Sequence, residues 1–275
     1  MRNQPQDDSS ERKTQWKFGQ NFLVDDQVIR SICDDLPSSP SDWIIEIGPG
    51  QGALTRRLLP RCRKLTALEI DPKWVKHLRE KADGKNLEVL EVDAMRLDWG
   101  NLLDQHAPEP GQKPLMIGNL PYNRATPILL GMLPILSRCL IFQAMFQHEV
   151  AKRICAQPHS REFGFLSVMV QNYAVPALLR KISPEAFRPR PKVLSATLSL
   201  VGRATPICSH PKFQPFLNLA FSQKRKQLSN VMGSLYPKLS VVAALEAQGL
   251  RPDSRAEDVS VEGFAGIFAQ LGYNL

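Results

Sequence analysis

The sequence predicts an α/β fold, a doubly wound and largely parallel sheet with crossover helices, followed by a small C-terminal α-helical domain. Two observations carry this. Between residues 43 and 146, short apolar runs of strand length alternate with amphipathic stretches of helical spacing, the pattern of parallel strands joined by helices. Beyond residue 202, apolar positions recur at helical spacing alone, as in Phe213, Phe216, Leu217, Ala220 and Phe221.

Taken in order, the strands are expected at residues 43–47, 65–70, 87–92, 115–117 and 140–146, with helices over 53–59, 74–82 and 128–136 between them. After Val150 the pattern is mixed: a helical stretch 149–156, an apolar stretch 163–174, and β-rich runs 177–182 and 194–201. These last two flank Phe187-Arg188-Pro189-Arg190-Pro191, whose prolines impose a stiff extended connection. One amphipathic helical stretch is expected over 213–232 and another over 241–247. The domains are read as a tail over 1–16, a catalytic domain over 17–202 and a helical domain over 203–275.

The chain has 275 residues, 43% of them hydrophobic, enough to bury a full core. Its formal charge of +8 suits a polyanionic partner. The five cysteines are scattered without a C-x-x-C pair and read as reduced thiols; the five histidines have no metal-ligand spacing, so no metal is expected. No apolar run approaches the roughly 18 residues of a membrane span, and residues 1–16 have neither an apolar signal core nor the acid-poor composition of a transit peptide. A cytoplasmic protein with no membrane partner is expected.

The run Glu46-Ile47-Gly48-Pro49-Gly50-Gln51-Gly52-Ala53 follows the first strand and opens a helix, where glycines permit a tight turn and close ligand approach. Glu69 lies 21 residues past Gly48 at the next strand end, placed to accept both hydroxyls of a cofactor ribose. Asp93, after the third strand, can accept from an adenine amine. The same spacing fits a dinucleotide fingerprint, so the glycines leave NAD open as a cofactor.

Asn119-Leu120-Pro121-Tyr122 ends the fourth strand and points to methylation of an amine. An adenine amine is a poor nucleophile because its lone pair is delocalised into the ring. The Asn119 side-chain oxygen and the Leu120 carbonyl can accept its two hydrogens and turn the lone pair toward a methyl donor. Pro121 removes a competing donor and stiffens the turn. Tyr122 offers a face on which a flipped-out base can stack.

These residues resemble the KsgA/RsmA ribosomal RNA adenine dimethyltransferases, and the likeness runs from about Lys17 into the C-terminal part. Phe18-Gly19-Gln20-Asn21-Phe22-Leu23 is similar to the family's N-terminal cofactor-closing segment. Further segments follow in the family's order: Phe163-Gly164-Phe165-Leu166-Ser167-Val168, residues 187–193, and Ala220-Phe221-Ser222-Gln223-Lys224-Arg225-Lys226. The resemblance implies a Rossmann-like class I methyltransferase sheet and an S-adenosylmethionine site lined by Asn21, Leu23, Gly48, Gly50, Glu69, Asp93 and Asn119. It implies Phe187 facing Tyr122 across the adenine. Two methyls would go to each of two adjacent adenines in a hairpin loop near the 3′ end of small-subunit rRNA, late in assembly of the 30S particle, by a monomeric enzyme. The chain departs from the family's usual residues at Arg124, Ala125, His148 and Phe165.

Phosphate contacts are expected from Arg188, Arg190 and Lys192 beside the pocket segment and from Lys224, Arg225 and Lys226 on the helical stretch 213–232. Arg56, Arg57, Arg61, Arg63 and Lys64 read as a solvated charged face. Competing readings are an Erm-type dimethyltransferase acting on large-subunit rRNA, a mitochondrial transcription factor of the same fold, and a nicotinamide dehydrogenase. The segment at 220–226 favours the small-subunit enzyme over Erm, the intact Asn119 to Tyr122 argues against the transcription factor, and a dehydrogenase leaves that tetrapeptide unexplained.

Overall fold

The structure, a computed structural model, describes residues 20–39, 42–82 and 86–272. The expected tail and Lys17, Phe18 and Gly19 of the closing segment lie outside the described residues. The chain divides into two compact units, one drawn from Met1–His148 and Leu179–Ser199, the other from Glu149–Leu178 and Leu200–Leu275. The second unit thus takes in residues 149–178 as well as the expected helical region.

In the first unit, five strands of the sheet are β2 (Trp43–Ile47), β3 (Lys64–Glu69), β4 (Leu87–Glu91), β5 (Leu115–Gly118) and β6 (Ile141–Gln147). They pair in parallel. All five residues of β2 are buried, as a strand covered on both faces requires, and this is why it is apolar at every position but Glu46. With β7 (Ala174–Ile182) and β9 (Ser195–Gly202) the sheet order is β4-β3-β2-β5-β6-β9-β7. The chain therefore winds outward from β2 through β3 to β4, then returns to β5 on the other side. That reversal between β2 and β5 opens a crevice at their carboxyl ends, the usual ligand site of such sheets. Register pairs Ile47 with Gly118, so the glycine loop and the Asn119 segment leave the sheet side by side.

Helix α1 (Asp26–Asp35) starts at Asp25, whose carboxylate accepts from the Gln27 and Val28 amides. The first crossover is shorter than its pattern suggests: α2 (Thr55–Leu58) tightens into a 3-10 turn over Leu59–Arg61, because Pro60 cannot continue the α-helical hydrogen bonding. Helices α3 (Pro72–Ala82), α4 (Trp99–His106) and α5 (Tyr122–Met132) complete the crossovers. A two-stranded ribbon pairs β1 (Phe22–Leu23) antiparallel with β8 (Phe187–Arg188), Leu23 opposite Phe187.

The second unit contains α6 (His148–Cys155, whose first residue belongs to the other unit), α7 (Phe165–Tyr173), α8 (Phe213–Ala220), α9 (Leu228–Met232), α10 (Lys238–Ala247) and α11 (Val261–Leu271). Phe268 packs against Phe216 and Phe213 with ring centroids 5.1 and 5.4 Å apart. The expected single helix over 213–232 is two helices separated by a turn. The break is tertiary: Gln227 bridges Arg255 and the Leu228 amide donates to the Ser254 carbonyl at 2.9 Å, which holds Gln227 extended where a helix would have continued. Lys224, Arg225 and Lys226 therefore sit in a turn, not on a helix face. No helix among the described residues is long and apolar enough to cross a membrane, and among them no cluster of three or more His, Cys, Asp or Glu is arranged to hold a metal ion.

Candidate active site

A cavity of about 920 Å³, open mouth included, lies at the carboxyl ends of β2, β3 and β5 and is bordered by every cofactor-binding candidate and by Asn119 to Tyr122. All of it belongs to the first unit. Gly50 shows why the turn needs glycine: its φ is +51°, and a Cβ there would stand 2.9 Å from the Phe22 ring. Phe22 in turn packs edge-on against Trp74, centroids 5.3 Å apart, so the ribbon strand β1 closes over the glycine loop.

Glu69 is 2% exposed and its carboxylate accepts from three backbone amides, Gly50 at 2.9 Å, Ile70 at 2.9 Å and Asp71 at 3.0 Å. Burial raises its carboxyl above the ordinary range, and those three bonds oppose the rise. Glu46, 1% exposed, is pushed up to about 7 by burial, opposed by the Thr55 hydroxyl that donates to it at 2.6 Å. Asp93 lies just beyond β4, accepting from the Met95 amide at 3.0 Å, and Arg124 stands 3.4 Å from its other oxygen. The carboxylates at the ends of β3 and β4, the glycine turn after β2 and the half-buried Asn119 amide after β5 form a donor and acceptor set that fits an adenosyl ligand. Glu46 and Arg124 border the same cavity and carried no assigned role in the sequence reading. The signal for each was a charge inside or beside an otherwise apolar motif.

The Asn119 side-chain nitrogen donates to the Asn21 carbonyl at 3.0 Å. This fixes the amide rotamer and leaves Oδ1 as the acceptor, the atom the amine chemistry requires. Leu120 is buried, Pro121 caps α5, and Tyr122 is half-buried with its hydroxyl hydrogen-bonded to the Ser195 hydroxyl.

Phe187 is fully buried in the core with Leu23, Ile29 and Ile182, and it does not border the cavity. It pairs with Leu23, itself part of the cavity wall, across the ribbon. Arg188 donates to the Glu185 and Phe187 carbonyls at 3.2 and 2.8 Å, Arg190 pairs with Glu185, and Lys192 is exposed. Lys224 is engaged by Glu257 at 3.6 Å and by the Arg161 carbonyl, whereas Arg225 and Lys226 are exposed. In the charged face left aside, Arg57, Arg61, Arg63 and Lys64 pair with Asp26, Asp34, Glu109 and Glu88.

The sequence profile of the family described as ribosomal RNA adenine dimethylase matches residues 11–272. The ribosomal RNA small subunit methyltransferase A of Mannheimia succiniciproducens is 36% identical over 265 residues, spanning 94% of this chain and 90% of that protein. Its namesake in Moorella thermoacetica is 37% identical over 261 residues, 92% of this chain and 91% of that one. Among solved structures, a dimethyladenosine transferase from Plasmodium falciparum shares the fold, with a TM-score of 0.77 at 22% identity over 90% of this chain and 96% of that one. The 23S rRNA methyltransferase ErmE aligns with a TM-score of 0.69 at 28% identity over 91% and 99%. With a profile match across nearly its whole length and relatives more than a third identical over nine-tenths of it, the chain belongs to the ribosomal RNA adenine dimethylase family.

Proposed function

We propose that the protein is a 16S rRNA adenine dimethyltransferase, transferring methyls from S-adenosylmethionine to the N6 amines of two adjacent adenines in the 3′-terminal hairpin loop of small-subunit rRNA on the assembling 30S particle. It acts in the cytoplasm, as a monomer and without a metal. The observation that carries this reading is the Asn119 amide, oriented by the Asn21 carbonyl at the edge of the cavity that Glu69 and Asp93 share. The relatives named for small-subunit rRNA support the choice of substrate.

Glu69 would accept the ribose hydroxyls, Asp93 an adenine amine of the cofactor, and the glycine turn would admit the ligand to the backbone; Asn21 and Leu23 would line the same site. When bound, the cofactor supplies a methyl on a positively charged sulfur. Asn119 Oδ1 and the Leu120 carbonyl would accept the two hydrogens of the target amine, which concentrates its lone pair on nitrogen. Pro121 brings no N–H to compete for those acceptors. The amine loses its proton after attack, so no strong base is needed. Tyr122 would stack the flipped adenine, and Phe187 would face it across the base. The second unit's Lys224, Arg225 and Lys226 and the first unit's Arg188, Arg190 and Lys192 would supply phosphate contacts, Lys224 only on release from Glu257.

The deciding experiment incubates unmethylated small ribosomal subunits with the protein and S-adenosylmethionine and reads the rRNA digest by mass spectrometry. N6,N6-dimethyladenosine in small-subunit rRNA is the expected product. Its absence there, with product in large-subunit rRNA, would establish the Erm-type activity instead.

A further inference from the structure

Tyr122 is the first residue of α5, so its backbone is fixed by the helix start, where Pro121 is extended at φ −59° and ψ 129°. The ring beyond it has two free torsions, and a stacking platform must hold both. In the structure the far end of the ring is held as well. Its hydroxyl is hydrogen-bonded to the hydroxyl of Ser195, the first residue of β9, 73 positions further along the chain. Ser195 is 0% exposed, so water does not compete for its hydroxyl, and a hydrogen bond in such surroundings is stronger than one in solvent. Both residues lie in the first unit.

We propose that Ser195 is a positioning residue for methyl transfer, holding the Tyr122 ring by its hydroxyl in the plane on which the target adenine stacks. The proposal rests on the methyltransferase reading of the site and adds to it a residue from outside the cavity lining. A ring pinned at both ends loses little further freedom when the base arrives, and preorganisation of this kind lowers the cost of binding the reactive geometry. Burial raises the Tyr122 hydroxyl above its ordinary value, so it stays a neutral partner for Ser195 near neutrality.

The test is a double-mutant cycle on the full chain with S195A, Y122F and S195A/Y122F, assayed on unmethylated small subunits. Each single substitution removes the same hydrogen bond and is expected to lower kcat/KM by about tenfold. The double variant is expected to fall no further, with S-adenosylmethionine affinity by calorimetry unchanged throughout. A merely structural Ser195 would multiply the two losses to about a hundredfold, and that outcome, or an S195A enzyme as active as wild type, overturns the proposal. A second readout does not depend on turnover. In tyrosine-labelled protein the Tyr122 hydroxyl proton, identified by its loss in Y122F, should exchange slowly with water and become fast in S195A; an unchanged signal also overturns the proposal. Wild-type protein that methylates no rRNA would sink the methyltransferase reading, while the exchange measurement would still decide whether Ser195 holds the ring.

Discussion

The side-chain nitrogen of Asn119 and the backbone carbonyl of Asn21 meet at 3.0 Å across 98 residues of sequence. The bond ties the strand end that would carry the chemistry to the segment that closes over the glycine loop. Replacing Asn119 with alanine removes the amine acceptor and this tie together. Methyl incorporation should fall by at least about a hundredfold, the scale of losing one preorganised polar group. The melting temperature should move by only a few degrees, because a single part-buried hydrogen bond contributes about 1 kcal/mol.

Gly50→Ala should weaken cofactor binding before it unfolds the protein. The positive φ costs a non-glycine residue about 1–2 kcal/mol, and the new methyl would press on the Phe22 ring. Calorimetric titration with S-adenosylmethionine should show a loss of about tenfold or more in affinity; full affinity would show that Phe22 can yield without consequence.

Glu46 makes stability depend on pH in a defined direction. Its carboxyl is raised from 4.5 to about 7 by burial, so the folded state holds a proton that the unfolded state gives up. The stabilisation is fully present below pH 4.5 and is lost as pH rises through about 7. At about 1.4 kcal/mol per unit this is about 3 kcal/mol. In Glu46→Gln that dependence should vanish, so the variant gains on wild type as pH rises through this window, measured by urea denaturation on either side of it.

Phe187→Ala should behave first as a core mutation. A fully buried phenylalanine leaves a cavity costing about 3–5 kcal/mol. A melting temperature unchanged from wild type would mean that the side chain spends its time outside the core.

Arg225 and Lys226 should carry the salt dependence of rRNA binding, and Lys224 should not, because Glu257 already engages it. Replacing the exposed pair with alanine should reduce the slope of log affinity against log salt by roughly one for each phosphate that the variant no longer neutralises. Lys224→Ala should leave that slope nearly intact; an equal effect from all three would show that Lys224 leaves Glu257 on binding.

The sequence by itself determined the sheet, because buried parallel strands leave apolar runs and crossover helices leave a 3.6-residue period, both local in the chain. It also determined the strand ends that border the cavity: glycines where φ is positive, carboxylates at Glu69 and Asp93, and the tetrapeptide at 119–122. Only the tertiary structure decided which atom of Asn119 is left as an acceptor, which hydroxyl Tyr122 meets, that Phe187 lies in the core, and that the helix expected over 213–232 breaks at Gln227. Each of these depends on a partner distant in sequence: Asn21, Ser195, Leu23 and the 254–255 segment. A periodic pattern records which face of an element is buried but not which residue it meets there. The meeting is set by register and packing, which exist only once the chain has folded.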